Sequence, residues 1–313
     1  MNIAYATDDN YAQHVAVSIY SLAIHTQQDV KVHVYILANQ LKQEHRVNIQ
    51  KTIESFQNVR LSFIDITAIE KMIGIKVNVN SLSISTYARL FLPQLIPDVD
   101  KLLYLDCDTV INSDIVELYN EDISSFSLAA VLDTMYPEMK QAIGLQADAP
   151  YYNAGVLLIN LKRWRDNSYP SMFVDFIHKY KGNVPHLDQG VLNGTLRDIK
   201  TLPLKYNVQT PIFAFHQPED LYRFYSLSNY YSETDITNAK ERPAVIHYTS
   251  FFLKRPWFHF CLHPYKNLYR EYLALTPYKN RCLMKGSESL ADKFKSLAFY
   301  YLQSLYLKIR KQK

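Results

Sequence analysis

Asp106 and Asp108 are the residues of this chain whose types and spacing point most directly to chemistry. They close the run Lys101-Leu102-Leu103-Tyr104-Leu105-Asp106-Cys107-Asp108. A short apolar run bounded by polar residues reads as a buried strand. Both carboxylates then emerge at its C-terminal edge, where open α/β sheets bind ligands. Two carboxylates held together repel unless a cation or proton sits between them. The pair reads as a seat for a divalent metal, and a seat without cysteine ligands suits a phosphate-bearing substrate. The plain alternative is a turn whose aspartates cap the next segment, and for an isolated Asp-x-Asp that alternative is the stronger of the two. Cys107 points away from both carboxylates on extended backbone and reads as packing.

His247 ends the short apolar run Ala244–Tyr248. If that run is a parallel strand, it delivers the imidazole to the same edge as a third ligand. Imidazole with carboxylates suits Mn²⁺ better than Ca²⁺. The segment after it holds Lys254-Arg255-Pro256-Trp257, a basic pair able to neutralise a leaving diphosphate. Asp8 and Asn10, after the first strand, could read the polar edge of a base, with Tyr11 as a stacking face. Equally, they could cap the next helix. Asn153, Asp188 and Gln189 are natural partners for sugar hydroxyls, or else a turn and a helix cap. Arg89 could bridge phosphate and sugar or form a surface ion pair. Asp133 could hold a hydroxyl or simply end its strand.

The elements that must position these residues follow from hydrophobic periodicity. Asn2–Thr7, Lys31–Leu37 and Arg60–Ile66 read as strands, and Tyr11–His25 and Leu41–Phe56 as the helices between them. That order argues for a parallel sheet with helices on both faces. Tyr87–Leu95 reads as a helix stopped by Pro97. Further strands are expected at Leu128–Leu132 and Gly155–Leu161, and helices at Pro170–Tyr180 and Asp188–Leu196. Pro203–Glu233 reads as loops and small elements. Ser287–Lys313 reads as a single amphipathic helix.

The chain has 313 residues and 48% hydrophobic content, with 25 tyrosines but only 7 glycines. No Gly-x-Gly-x-x-Gly and no Gly-x4-Gly-Lys-Ser/Thr is present, which argues against a phosphate cradle of backbone amides. Any nucleotide would have to be held by metal and side chains. Three widely spaced cysteines suggest a reducing compartment and no zinc framework. The N-terminus does not read as a signal peptide, and no apolar stretch approaches a spanning length. Nucleic acid is not an expected partner. Net charge is +4, of which residues 285–313 contribute +5, so the body is near neutral.

The chain resembles glycosyltransferase family 8, and within it the bacterial lipooligosaccharide α-galactosyltransferases. The matching segments are Ala6-Thr7-Asp8-Asp9-Asn10-Tyr11, Ser85-Thr86-Tyr87-Ala88-Arg89-Leu90, Tyr104-Leu105-Asp106-Cys107-Asp108, Asn153 to Leu161, Leu187-Asp188-Gln189 and His247-Tyr248. They occur in the family's order over residues 2 to 257. The resemblance implies a GT-A fold with one Rossmann-like, mostly parallel sheet, a UDP-sugar donor, Mn²⁺ (or Mg²⁺) and retention at the anomeric carbon. It implies that Asp106, Asp108 and His247 hold the metal. Ala6, Asp8, Asn10 and Tyr11 would hold uridine. Arg89, Asp133, Asn153, Asp188 and Gln189 would surround the donor sugar, galactose or glucose. The stretch His247 to Trp257 is longer and bulkier than the family's and lacks its glycine, which leaves open whether Lys254 or Arg255 meets the diphosphate.

On this reading residues 1–260 form the catalytic domain and 261–313 a helical extension. The amphipathic tail, with Leu290, Phe294, Leu297, Tyr301, Leu305 and Ile309 on one face and Lys293, Lys295, Lys308, Arg310, Lys311 and Lys313 around it, is expected to lie on the inner face of the cytoplasmic membrane, near a lipid-linked glycan acceptor. The plain alternative is a terminal helix docked on the body. Two other functions share the aspartate pair or the fold: a metal-dependent nucleotidyltransferase or phosphohydrolase, and a non-catalytic binding protein.

Overall fold

The computed structural model describes residues 1–79, 83–286 and 289–310. Its core is a sheet of seven strands: β1 (Asn2–Thr7), β2 (Val32–Ala38), β3 (Val59–Asp65), β4 (Lys101–Leu105), β6 (Leu128–Leu132), β7 (Tyr152–Asn160) and β8 (Ile199–Thr201). They lie in the order β3-β2-β1-β4-β7-β6-β8. The first four pair in parallel. β7 runs antiparallel to both neighbours, β4 and β6, while β8 pairs in parallel with β6. The strands bury both faces, since β4 reads Leu-Leu-Tyr-Leu without alternation and each of those residues is buried. Such continuous apolar runs belong to strands covered by helices on each side. One apolar layer, with the helix Ala12–His25, lies on one face, and a second, with Trp164 and the helices Tyr169–Lys179 and Leu187–Thr195, on the other.

This order gathers one edge. β1, β4 and β6 end there, and the antiparallel β7 begins there. Asp8, Asp106, Asp133 and Asn153 are therefore delivered together. The β6–β7 register shifts between Ala130 and Leu132. Such an irregularity bends a strand and re-aims the next side chain along it, here Asp133.

A second sheet stands beside the first, built from β5 (Thr109–Ile111), β9 (Val208–Gln209) and β10 (Val245–His247) in the order β5-β10-β9. His247 does reach the common edge, but not on a parallel strand of the main sheet. β10 is antiparallel to β5 and parallel to β9. Because β5 comes directly after Asp108, pairing His247 with Thr109 brings the imidazole back over the aspartates.

Two expected helices differ in form. The segment around Arg89 is a 3₁₀ helix over Ile84–Phe91, continued by one α turn at Leu92–Leu95. In a 3₁₀ helix residues three apart eclipse, so Thr86 and Arg89 share one edge and reach one partner, Asp188. The tail is two helices, Leu290–Tyr301 and Gln303–Arg310, broken at Leu302. Of the residues expected in the tail helix, Ser287, Lys311 and Lys313, together with the Arg310 side chain, lie outside the described part. The tail docks through the face opposite the expected stripe. Phe299 is fully buried and stacks on Phe252 at 4.4 Å, while Gln303 donates to the Ala214 carbonyl and accepts from the His216 amide, both at 2.8 Å. Leu290, Phe294, Leu297, Tyr301, Leu305 and Ile309 are left exposed. Among the described residues no helix is long and apolar enough to cross a membrane.

Candidate active site

The gathered edge opens into a cleft of about 480 Å³, lined among others by Ala6, Asp8, Tyr11, Arg89, Asp106, Asp108, Asn153, Asp188, Gln189, His247 and Arg255. At its floor, one ligand atom from each of Asp106, Asp108 and His247 lies within 4.8 Å of the others. His247 Nε2 is 3.1 Å from Asp108 Oδ1 and 3.7 Å from Asp106 Oδ2. Ligands around one ion at roughly 2.1 Å stand about 3 Å apart, so the spacing fits a single small cation. Gly155 makes room for this cluster. A Cβ built on it would stand 2.2 Å from His247 Cε1 and 2.9 Å from Asp106 Oδ2. Burial alone would push the Asp108 carboxyl up, but His247 and Arg255 outweigh it and hold it well below the usual range. Burial would likewise lower His247, and the two aspartates raise it instead. Oxygen and imidazole donors with no thiolate suit Mn²⁺ or Mg²⁺.

Two guanidiniums offset the acids. Arg89 is buried, with its guanidinium carbon 4.2 Å from the Tyr104 ring centroid. It pairs with Asp106 at 2.8 Å and Asp188 at 3.0 Å, and donates to the Ala154 carbonyl. Arg255 donates to Asp108 Oδ2 at 3.3 Å, to the Tyr11 hydroxyl at 3.2 Å and to the Tyr248 carbonyl at 3.0 Å. Of the adjacent basic pair it is Arg255 that enters the cleft. Lys254 takes a left-handed backbone (φ 60°) and lies outside the cleft lining. In the cleft lining Asp8, Asp106, Asp108 and Asp188 still outnumber Arg89 and Arg255, so the basin favours a cation; Asp133 is not part of that lining.

The sugar-side residues form one network. Gln189 accepts from the Ala154 amide at 3.0 Å and donates to Asp133 at 2.8 Å. Asn153 also donates to Asp133, at 3.1 Å, and accepts from the Gly155 amide at 2.9 Å. Asp188 and Gln189 open the helix Leu187–Thr195 after two consecutive left-handed residues, His186 (φ 60°) and Leu187 (φ 54°). Backbone held in such regions concentrates at functional sites. Burial raises the Asp188 carboxyl against the pull of Arg89 and Thr86. Asp8 accepts from the Asn10 and Tyr11 amides, which makes a turn ahead of the helix Ala12–His25, but the N-cap of that helix is Tyr11 and no side chain caps it. Asn10 is exposed and lies outside the cleft lining.

Asn207 was missed by sequence reasoning. It sits in the proline-punctuated segment after Pro203, and nothing in its local sequence marks it. Its carboxamide is fully buried between His247 and Asn153. Gly155, Thr86, Thr249 and Ser250 also shape the cleft without having been singled out.

The family model for glycosyl transferase family 8 matches residues 2–261, a span that contains every residue of the cleft. This chain belongs to glycosyltransferase family 8. It is similar to a putative glycosyltransferase of Haemophilus influenzae, 32% identical over 66% of this chain and 63% of that protein. The match thus spans less than two thirds of that relative's length. The chain is also similar to the lipopolysaccharide 1,2-glucosyltransferase of Escherichia coli K12, at 26% identity over 90% of this chain and 79% of that one. The crystal structure of the galactosyltransferase LgtC with donor and acceptor sugar analogues superposes with a TM-score of 0.74 at 29% identity, covering 88% of this chain and 96% of LgtC. The family 8 span ends before the helix Lys266–Ala274 and the tail.

Proposed function

We propose that this family 8 enzyme is a retaining, metal-dependent hexosyltransferase that moves galactose or glucose from UDP-galactose or UDP-glucose to a glycan acceptor of surface polysaccharide or lipooligosaccharide. The cluster of Asp106, Asp108 and His247 carries this reading, and the likeness to LgtC and to the Escherichia coli glucosyltransferase supports its substrate class. Asp106, Asp108 and His247 would hold Mn²⁺ or Mg²⁺. Bound there, the ion supplies Lewis-acid stabilisation of the departing diphosphate. Arg255 adds donors to the leaving phosphate oxygens as they gain charge. Ala6, Asp8 and Tyr11 line the uridine end, with Asn10 at its rim, and Lys254 keeps its charge outside the cleft.

Departure of UDP leaves an oxocarbenium-like sugar. Both oxygens of Asp188 are engaged, by Thr86 and Arg89, which suits orientation better than nucleophilic attack. Gln189 is an amide with both ends committed, and an amide is a poor nucleophile. The acceptor hydroxyl therefore attacks from the face that UDP leaves. Its oxygen bonds to the anomeric carbon, the carbon–phosphate oxygen bond breaks, and the hydroxyl proton passes to the UDP phosphate. Arg89, Asp133 and Asn153 complete the donor-sugar wall.

The exposed tail stripe supports a membrane-surface location on the cytoplasmic side and a lipid-linked acceptor. Apolar side chains as exposed as Leu290 (85%) and Phe294 (70%), flanked by Lys293, Lys295 and Lys308, suit an anionic lipid surface. A glycan on a surface protein is the alternative acceptor. Incubation with UDP-sugars decides the chemistry. Release of UDP that EDTA abolishes, with an α-linked first product by proton NMR, is expected. UMP or pyrophosphate would instead mean a nucleotidyltransferase or phosphohydrolase, and an early β-linked product would overturn retention.

A further inference from the structure

We infer that Asn207 is a positioning residue that fixes which nitrogen of His247 faces the metal position, and that it ties this choice to the donor-sugar wall. The inference rests on the metal reading of Asp106, Asp108 and His247. It begins at a group that cannot turn round. The Gly155 backbone amide is a donor, and it meets Asn153 Oδ1 at 2.9 Å. Asn153 Nδ2 must then point the other way, and it does, to the Asp133 carboxylate at 3.1 Å. The orientation of Asn153 is thus set at both ends, by an obligate donor and an acceptor-only partner.

Asn207 meets Asn153 Oδ1 at 2.8 Å. That oxygen only accepts, so Asn207 must present Nδ2 there. Its own Oδ1 then faces His247 Nδ1 at 2.9 Å. A carbonyl oxygen only accepts, so Nδ1 must carry the proton. Nε2, 3.1 Å from Asp108 Oδ1 and 3.7 Å from Asp106 Oδ2, is left as the ligand atom. Asn207 and His247 are both buried, and a mismatched pair in this place would leave unpaired buried polar atoms. The direction set by one backbone amide therefore propagates through two side-chain amides to the imidazole. Partners of this kind fix the tautomer and ring orientation of a metal-binding histidine. The same chain reaches Gln189 through Asp133, so displacing Asn207 disturbs the metal position and the sugar wall together.

The test compares Asn207→Leu, which removes both bonds, with Asn207→Asp, which keeps an acceptor for Nδ1 and loses the donor to Asn153. Mn²⁺ affinity is read without donor substrate, from free Mn²⁺ in EPR titrations. Asn207→Leu is expected to weaken binding about 10- to 100-fold, and Asn207→Asp to restore it to within about threefold of wild type while raising KM for the UDP-sugar. If Asn207→Leu does not fold, Asn207→Ser, too short to reach Nδ1, takes its place. Long-range ¹H–¹⁵N NMR of the metal-free wild type at high pH should find a proton on His247 Nδ1. A bare Nδ1, equal weakening in the Leu and Asp variants, or unchanged binding in the Leu variant would each overturn the inference. Wild type that binds no Mn²⁺ would instead refute the metal reading, and the NMR result would still judge the relay.

Discussion

Replacing Gly155 by alanine adds one methyl group, and the structure says where it goes. The new Cβ would lie 2.2 Å from His247 Cε1, 2.7 Å from Nδ1 and 2.9 Å from Asp106 Oδ2. Carbon atoms pack at about 3.5–4.0 Å, so the imidazole would have to retreat by more than about 1 Å. Strand β7 cannot yield in its place without losing the 2.7 Å bond from the Asp106 amide to the Gly155 carbonyl. Gly155 does not have a left-handed backbone, so alanine carries no conformational cost of its own and the methyl is the whole perturbation. Metal–ligand distances tolerate shifts of only about 0.2 Å, and a misplacement of about 1 Å costs about 10²-fold in rate. Gly155→Ala should therefore weaken Mn²⁺ by about 10²-fold or more and reduce UDP release at least as far. Its overpacking should lower stability by about 1–3 kcal/mol. Mn²⁺ EPR titration, donor hydrolysis and urea unfolding read the three effects. A variant that binds Mn²⁺ like wild type would show that His247 does not lie against Gly155, and the geometry of the metal cluster would fall with it.

Asp106→Asn and Asp108→Asn are each expected to reduce transfer to background with the fold retained, and turnover of the wild type in saturating EDTA would contradict the metal assignment. For the tail, serine at Leu290, Phe294 and Leu305 together should release the protein from anionic vesicles with Tm unchanged, whereas Phe299→Ala should cost about 3–5 kcal/mol of stability. Co-sedimentation and melting separate these, and vesicle binding that survives the triple serine variant would remove the stripe from consideration. Burial lowers the His263 pKa to about 3. Between that value and about 6.5 the unfolded chain binds the proton that the folded one refuses, so stability falls as pH drops below about 6.5 and levels off below about 3. At pH 5 the loss is about 2 kcal/mol. His263→Phe should shrink the difference in unfolding free energy between pH 7 and pH 5 by that amount, and an unchanged difference would show that His263 protonates in the folded state.

Much of the site could be read in the sequence because its residues sit at the ends of local apolar runs. β1 and β6 have the bounds that periodicity predicts, Asn2–Thr7 and Leu128–Leu132. Asp8, Asp106 and Asp133 come directly after such runs, so locating the strands also placed the acids. Cys107 is buried and donates to the Ala6 carbonyl, but it does so from a turn after β4 and not from extended backbone, and it lines the cleft beside the two aspartates. The helix-to-3₁₀ difference near Arg89 was less legible, since Thr86 and Arg89 are three apart in either form, and their common partner Asp188 lies about a hundred residues further along the chain.

The sequence by itself therefore determined the set of chemical groups, the parallel start of the sheet and the strand ends that carry the acids, because those depend on burial patterns within a few residues. Tertiary structure alone decided the remainder. It set β7 antiparallel beside β4, and it brought His247 over the aspartates on a separate three-stranded sheet. It selected Arg255 over Lys254 for the cleft, and it broke the tail at Leu302 so that Phe299 and Gln303 face inward and the apolar stripe faces out. It also placed Asn207 between His247 and Asn153, residues 40 and 54 positions away in the chain. Contacts at such separations are fixed by how whole elements pack, and no local periodicity records them.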